Sequence, residues 1–267
     1  GTGLSTHELN LPGAYKEVRD TTVAALFKVI HDENAASLFD SPEEDVRFAA
    51  WTTTPWTLPS NTALAVGPNI EYVKIKTFNP YTAEPQSMIL AKDLVNNWFK
   101  AEGLDAEMTY TPTDKVVPYH FVGEYKGKDL AFIKYEQLLP YVQPEEGDAF
   151  RVIVGDFVTT SDGTGIVHIA PSFGADDRRV AMANGIGSLT LVDRQGKFVD
   201  EVGPFGGRYV KDYKNEGADF KDVDVDIAIL LKSENKALNV QKYVHNYPHC
   251  WRTDKPILYY PLDSWFV

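Results

Sequence analysis

The most informative part of this sequence is the stretch GTGIVHIAPSFGADD, residues 163–177. Gly163 and Gly165 permit a close backbone approach or a positive φ where a strand begins. On the strand that follows, His168 shares a face with Ile166 because strand side chains alternate. The stretch therefore predicts a glycine turn that leads into a strand with one histidine on an otherwise apolar path.

A turn and a helix that opens with Asp176 and Asp177 complete this stretch. Successive helical side chains diverge by about 100°, so at most one of the two aspartates points fully into a site. Acidic residues in a first helical turn are also favoured by the helix dipole without any function. A lone histidine on an apolar strand is more often a packing residue than a catalytic one. From these residues alone, a site and a purely structural role both remain open.

A second stretch, WTTTPWTLPSN at residues 51–61, places threonine hydroxyls and an asparagine amide around two indoles. Its two prolines exclude a regular α-helix and favour extended geometry, so we expect an irregular loop over 52–60. Fixed hydroxyl and N–H donors in such a loop suit the stabilisation of an oxyanion during hydrolysis. Trp51 and Trp56 are expected to wall a small apolar pocket, and Asn61 to bind a sugar hydroxyl or a terminal base. The alternative is an exposed turn whose threonines bond their own backbone.

The hydrophobic pattern predicts a mainly β, α+β domain with a closed or nearly closed, barrel-like sheet and peripheral helices. Expected strands are Val46–Thr53, Thr62–Val66, Glu71–Phe78, Phe150–Val158 and Gly163–Ala170. Expected helices are Ala91–Ala101, Ala175–Asn184 and Val223–Lys236, and expected loops are Pro80–Gln86 and Gln143–Gly147. The strand at 71–78 is expected to be half-buried, because apolar and charged residues alternate along it.

Composition limits the classes of protein. The chain has 267 residues, enough for one large domain, and its single cysteine, Cys250, excludes an internal disulfide and fits a reducing cytoplasm. No apolar run is long enough to span a bilayer. The net charge of −12 disfavours a domain that grips a phosphate backbone by itself, unless other parts of a larger protein do most of the holding.

Taken together, the two stretches resemble the editing domain of isoleucyl-tRNA synthetases, a class I synthetase family that hydrolyses valine wrongly attached to the isoleucine tRNA. Valine- and leucine-specific relatives typically have arginine where this chain has Thr54, which favours the isoleucine group. Ser172 stands where alanine is common, a mild departure. Further similar segments are Lys126–Leu130, Tyr135–Tyr141, Gly196–Phe198, Gly203–Phe205, Tyr247–Arg252 and Ser264–Phe266.

The resemblance implies roles for particular residues. Asp177 clamps the α-ammonium of the misattached amino acid, and His168 narrows the pocket so that valine enters and isoleucine does not. Thr53 and Thr54 act in hydrolysis. The residues that bind the substrate are Trp51, Thr52, Trp56, Asn61, His168 and Phe173. No metal and no cofactor is expected in this domain, since ATP and Mg²⁺ are used by the separate catalytic domain of such enzymes.

The resemblance also implies partners and an arrangement of the chain. We expect a monomeric, single editing domain over 1–267 that is inserted in a larger synthetase, with strand-like linkers at about 1–20 and 245–267. The expected partners are the valine-bearing 3′ end of tRNA(Ile) and the parent catalytic domain, and no membrane. Three alternatives remain: an editing domain of a valyl- or leucyl-tRNA synthetase, a non-catalytic aminoacyl-tRNA binding module, and an unrelated small-ligand β-barrel.

Overall fold

A continuous run of small and branched apolar residues forms the centre of the fold. Residues 21–28 lie in a strand whose side chains from Val23 to Phe27 are inaccessible to solvent on both faces. Such a run is typical of a strand covered on both sides rather than one that alternates between core and solvent. The computed structural model describes residues 2–211 and 222–263 of the chain.

Within those residues the fold is α+β and mainly β. The α-helices are α1 (Thr6–Leu9), α2 (Ala175–Ala183) and α3 (Val223–Ser233). The strands are β1 (Tyr15–Lys28), β2 (Val46–Thr52), β3 (Ala63–Val66), β4 (Glu71–Phe78), β5 (Pro85–Ala91), β6 (His120–Lys126), β7 (Arg151–Val154), β8 (Ile166–Ile169) and β9 (Ala237–Pro248). Short 3₁₀ turns lie at Ala36–Leu38, Pro55–Ser60, Lys92–Asn97, Ala101–Gly103, Gly127–Leu130 and Gly203–Phe205.

The strands form two sheets that stay open within the described residues, so the barrel-like closure is not complete there. The larger sheet has the order β6-β4-β5-β2-β1-β9 and the smaller has the order β7-β3-β8. Neighbours are antiparallel except for β2 with β5 and β3 with β7, which are parallel. The expected mainly β domain with peripheral helices is confirmed. No helix of the described ranges is long and apolar enough to cross a membrane.

The first half of β1 behaves differently from its buried second half. Residues 15–20 pair with β9 alone, from Tyr15 opposite Pro248 to Asp20 opposite Tyr243, while β2 pairs only from Val23 onward. This part of the chain is a two-stranded ribbon, with Tyr15 and Val244 more than half exposed. The segment predicted as Ser264–Phe266 lies outside the described residues.

The helix predicted over Ala91–Ala101 was wrong. Ala91–Ala101 is not an α-helix: β5 ends at Ala91, and the 3₁₀ turns Lys92–Asn97 and Ala101–Gly103 follow. Tertiary contacts override helix propensity here, since Val95 and Phe99 are buried in a core cluster and Trp98 Nε1 donates to Gly163 O at 2.9 Å.

The strand Glu71–Phe78 has the predicted bounds but is buried on both faces rather than half-buried. Tyr72 and Lys74 lie on the face that was expected to meet solvent, and both are almost fully buried. The Lys74 ammonium pairs with Glu44 at 2.8 Å, so the charge is compensated where it is buried.

The hydroxyl of Tyr72 joins the two sheets. It accepts from Gly67 N at 3.0 Å, just beyond β3, and donates to Gly165 O at 2.5 Å, just before β8. One side chain from the larger sheet therefore satisfies two backbone groups of the smaller sheet, one just after β3 and one just before β8. This contact sets where β8 begins relative to β4.

Replacement of Tyr72 by Phe should destabilise the chain by about 1–3 kcal/mol, because both backbone groups then stay buried without a partner. Urea unfolding measures this change. Tyr125→Phe is the matched control, since its hydroxyl makes an exposed bond to Ser37 O at 3.3 Å and should contribute less than about 0.5 kcal/mol. Equal losses in the two variants would show that the Tyr72 hydroxyl does not join the sheets.

Candidate active site

A cavity of about 310 Å³ lies where the end of β2, the threonine stretch, β8 and the start of α2 meet. This volume is at the lower end of the range for small-molecule sites. The lining residues are Trp51, Thr52, Thr53, Thr54, Thr57, Val167, His168, Ala170, Phe173 and Asp177. The two stretches singled out by the sequence, more than 100 residues apart, thus form one cavity.

The smaller sheet brings the two stretches together. The threonine stretch is followed directly by β3 in the sequence. β3 pairs antiparallel with β8, with Leu64 opposite His168. His168 therefore lies beside the residues that immediately precede β3. After β8 the chain turns, with Phe173 N donating to Ala170 O at 2.9 Å, and enters α2. The cavity is thus a consequence of strand register and one tight turn.

The threonine stretch is more regular than the predicted loop. Residues 55–60 form a 3₁₀ turn with Pro55 at its first position, where a missing N–H costs nothing. Thr52 Oγ1 accepts from Thr54 N at 3.1 Å, and Thr57 Oγ1 donates to Thr54 O at 2.9 Å. The hydroxyl of Thr53 makes no hydrogen bond to any part of the chain that the structure describes, and Thr53 lines the cavity. Local bonding and an open donor therefore occur in the same segment.

His168 is almost fully buried and is held through both ring nitrogens. Its Nε2 lies 2.9 Å from Thr57 Oγ1, and its Nδ1 lies 2.8 Å from Asn61 Nδ2. Burial lowers the pKa of His168 from its usual 6.5 to about 4. The ring is therefore neutral at physiological pH.

Asp177 enters the cavity while its neighbour does not. One carboxylate oxygen of Asp177 accepts from Ala170 N at 2.9 Å, so the side chain folds back over the preceding turn. Gly174 leaves room for it, since a Cβ there would lie 3.0 Å from the Asp177 carboxyl carbon. Asp176 is exposed and pairs with Arg179 at 2.8 Å. Burial raises the pKa of Asp177, and the hydrogen bond from Ala170 partly opposes that rise.

Two predicted substrate contacts do not reach the cavity. Trp56 is only 3 % exposed, because the 3₁₀ turn directs it into the core, where its ring meets Phe173 edge-on at 5.1 Å. Its backbone N–H donates to the Asp224 carboxylate at 2.9 Å. Asn61 is 2 % exposed and lies behind His168. Neither residue is placed to touch a ligand directly; each supports a residue that is.

Sequence reasoning missed other members of the site. Thr57 lines the cavity three residues after Thr54, a spacing that a proline-initiated turn brings onto one side. Tyr135, whose hydroxyl donates to Asn61 Oδ1 at 2.6 Å, has no local signal because its role depends on packing between distant strands. Among the described residues, no group of three or more His, Cys, Asp or Glu side chains is arranged to hold a metal ion.

Replacement of Asp177 by Asn should raise the melting temperature by about 2–4 °C. The raised pKa means that the folded chain holds this proton more tightly than the unfolded chain, whose value is near 3.8. The contribution of this group to stability is therefore greatest in acid and falls as pH rises through the interval above 3.8. Asparagine keeps the acceptor for Ala170 N and removes the charge of this half-buried side chain.

Thermal unfolding of both proteins between pH 4 and 8 tests this expectation, and the advantage of the variant should grow with pH. Asp176→Asn, at the exposed neighbouring position, is the control and should change the melting temperature little. A destabilised Asp177→Asn protein at pH 7 would contradict the cost assigned to the charge of this half-buried carboxylate.

Comparison with known proteins gives the family. No protein-family model matches the chain. Isoleucine–tRNA ligase from Cytophaga hutchinsonii is 53% identical over 290 aligned residues, which cover 100% of this chain and 25% of that protein. The enzyme from Porphyromonas gingivalis is 49% identical, with 100% of this chain and 26% of that protein covered. The enzyme from Clostridium tetani is 44% identical, with 100% of this chain and 21% of that protein covered. The chain thus spans about a quarter of the length of these curated relatives.

Solved structures give the fold. The CP1 domain of a leucyl-tRNA synthetase, GlLeuRS-CP1, superposes with a TM-score of 0.55 at 17% identity, covering 81% of this chain and 96% of that one. The editing domain of the cytosolic leucyl-tRNA synthetase from P. knowlesi gives 0.53 at 12% identity, with 89% and 98% covered. Homology over its whole length and this fold together place the chain in the isoleucyl-tRNA synthetase family, as the segment that has the fold of the CP1 editing domain.

Proposed function

We propose that the chain hydrolyses the ester that joins valine to the 3′ end of tRNA(Ile). The observation that supports this proposal most directly is the cavity itself. It combines one half-buried carboxylate, a neutral histidine and a row of threonines around a volume of about 310 Å³. Valyl-adenylate, which bears the same amino acid, is a second candidate substrate for the same cavity.

In this proposal, Asp177 binds the α-ammonium of the misattached amino acid. The hydrogen bond from Ala170 holds this carboxylate at the cavity wall, where a cationic group of a ligand would meet it. A half-buried carboxylate attracts a cation more strongly than a fully solvated one, because the effective dielectric constant around it is lower than that of water. The ammonium is present whichever side chain the substrate bears, so this contact anchors the substrate and does not select it.

Selection belongs to the apolar part of the cavity. His168 and Phe173 bound the space for the side chain, and Phe173 takes the place that the sequence assigned to Trp56. One missing methylene is worth only about 1–3 kcal/mol to an apolar pocket, a limit for which isoleucyl-tRNA synthetase is itself the standard example. A second pocket too small for isoleucine removes the valyl product that the first pocket accepts.

Hydrolysis is assigned to water held by the threonine stretch. Thr53, Thr54 and nearby N–H groups position the water and stabilise the oxyanion, with Thr52 fixing the turn. Of the residues that line the cavity, only Asp177 and His168 carry a carboxylate or an imidazole that could serve as a general base. Asp177 holds the ammonium, and both nitrogens of His168 are engaged with protein groups. The base is therefore taken to be a substrate hydroxyl or a backbone carbonyl.

The partners follow from the same proposal. Residues 1–267 act as one editing domain within a longer synthetase, joined to it through segments at about 1–20 and 245–267. The longer enzyme supplies the ATP and Mg²⁺ site and most of the tRNA-binding surface, and this chain needs no cofactor and works as a monomer in the cytoplasm. The net charge of −12 supports such a division, because the excess charge of the chain is negative and does not attract phosphates.

Hydrolysis of valyl-tRNA(Ile) by the 267-residue chain should be lost in Asp177→Ala, by about a hundredfold or more, as expected when a buried charged partner is removed. Asp176→Ala should hydrolyse the ester at the normal rate, since that carboxylate is exposed. Release of labelled valine measures both. Normal rates in Asp177→Ala would remove this residue from the site.

Replacement of His168 by Ala should allow isoleucyl-tRNA(Ile) to be hydrolysed. The ratio of valyl to isoleucyl cleavage should fall by about tenfold or more, the order of one methylene's contribution. His120→Ala, at a partly exposed histidine that pairs with Asp105, is the control. Unchanged selectivity in His168→Ala would mean that another residue forms the sieve.

If the chain cleaves neither ester, a binding measurement must distinguish the proposed hydrolase from a non-catalytic binding module. Calorimetric titration with a non-hydrolysable valyl-adenosine analogue then decides. Binding that is lost in Asp177→Ala, with no hydrolysis under any condition, would identify a binding module and overturn the hydrolase.

A further inference from the structure

The hydrogen bonds around His168 determine where its proton lies. Asn61 Nδ2 is 2.8 Å from His168 Nδ1 and 2.9 Å from the carbonyl oxygen of Ala63. A backbone carbonyl only accepts, so the Asn61 atom that faces Ala63 must be the amide nitrogen. That same nitrogen then donates to His168 Nδ1. The orientation of one amide therefore makes Nδ1 an acceptor without a proton.

A buried tyrosine supports this orientation from the other side. Tyr135 is 1 % exposed, and its hydroxyl donates to Asn61 Oδ1 at 2.6 Å. Its ring is fixed edge-on against Phe27 at 5.3 Å. If the amide turned over, its oxygen would face the Ala63 carbonyl oxygen, a repulsive contact between two acceptors. The three groups around Asn61 are therefore mutually consistent in one arrangement only.

We propose that Asn61, held by Tyr135 and by the Ala63 carbonyl, is a positioning residue that fixes His168 as its neutral Nε2–H tautomer. His168 then acts as an apolar wall of the cavity and not as an acid or a base. This assignment replaces the direct sugar contact predicted for Asn61 from the sequence. Its consequence for selectivity rests on the proposed editing function, but the tautomer itself does not.

The direction of the hydrogen bonds continues into the threonine stretch. A proton on His168 Nε2 donates to Thr57 Oγ1, 2.9 Å away, so the Thr57 hydroxyl is free to give its own proton to Thr54 O, also 2.9 Å away. The opposite tautomer would need that hydroxyl proton for itself and would leave Thr54 O without it. One chain of donors and acceptors therefore runs from Tyr135 to the Thr54 carbonyl.

This series of hydrogen bonds explains how a histidine can form an apolar wall of the cavity. With both nitrogens satisfied inside the protein, the ring offers only C–H edges and its face to the cavity. An aliphatic substrate side chain then meets no polar group that would require a partner. A proton on Nδ1 would face the Asn61 amide N–H, so that two donors would point at each other. This agrees with the low pKa of about 4 that burial gives His168.

The test is a long-range ¹H–¹⁵N correlation spectrum of the ¹⁵N-histidine-labelled chain at pH 7, which distinguishes a protonated from an unprotonated ring nitrogen. The chain has six histidines, and the His168 signals are identified by their loss in His168→Gln. The expected result is a protonated Nε2 and an unprotonated Nδ1. A proton on Nδ1, or an imidazolium, in the unaltered chain would overturn the inference without any variant.

Asn61→Asp provides the complementary arm. A carboxylate cannot donate, so His168 should switch to the Nδ1–H form or become protonated, and hydrolysis of the valyl ester should fall by about tenfold. Asn79→Asp is the matched control: Asn79 is also fully buried and donates to a backbone carbonyl, that of Ala237, at 3.2 Å. It should leave the His168 spectrum unchanged. A folded Asn61→Asp chain with an unchanged spectrum would overturn the role of Asn61.

The outcomes for the tautomer and for the proposed function are distinguishable. If the spectra are as expected but the chain cleaves no ester, the tautomer assignment stands and the proposed editing function is overturned. Ester cleavage with a proton on Nδ1 would do the reverse. If Asn61→Asp does not fold, the spectrum of the unaltered chain still decides the tautomer.

Discussion

The antiparallel pairing of β3 with β8 is the constraint on which the rest of the site depends. It places His168 opposite Leu64 and so beside the end of the threonine stretch. A shift of one residue would turn His168 to the other face of the sheet and would bring Val167 into its place. The bond from Tyr72 to Gly165, at the start of β8, opposes such a shift from the larger sheet. Register in a four-residue strand is therefore fixed from outside the strand.

A second constraint comes from the burial of polar groups beside the cavity. Asn61, Thr57 and His168 satisfy one another, and Asp224 accepts the N–H of Trp56 where α3 packs on the 3₁₀ turn. Unmade hydrogen bonds at such depth would cost about 1–3 kcal/mol each. The network thus favours a single arrangement of the cavity wall. Discrimination by size requires such rigidity, because a cavity wall that can move outward makes room for an additional methyl group.

The sequence predicted those parts of the molecule that depend on local chemistry. The bounds of β4 and the opening of α2 with its two aspartates follow from residues close together in the chain. The threonine stretch was predicted as an irregular loop, and residues 55–60 form a 3₁₀ turn instead. The sequence could not place Trp56 or Asn61, because their directions are set by a 3₁₀ turn whose partner is a helix more than 160 residues later. Tyr135 was beyond reach for the same reason. Propensity likewise failed at Ala91–Ala101, where buried contacts of Val95 and Phe99 decide the backbone.

The negative charge of the chain is consistent with the chemistry proposed for the cavity. A domain of net charge −12 repels a phosphate backbone at long range, so the ester end of a tRNA would be held here mainly by its amino acid. In the proposed mode of binding, Asp177 would attract the ammonium over a few ångströms, while salt screens the wider repulsion beyond about 8–10 Å. Binding would then be weak for an uncharged tRNA end and stronger for one that bears an amino acid. A proofreading pocket benefits from this difference, because the product of hydrolysis is the uncharged tRNA that must leave.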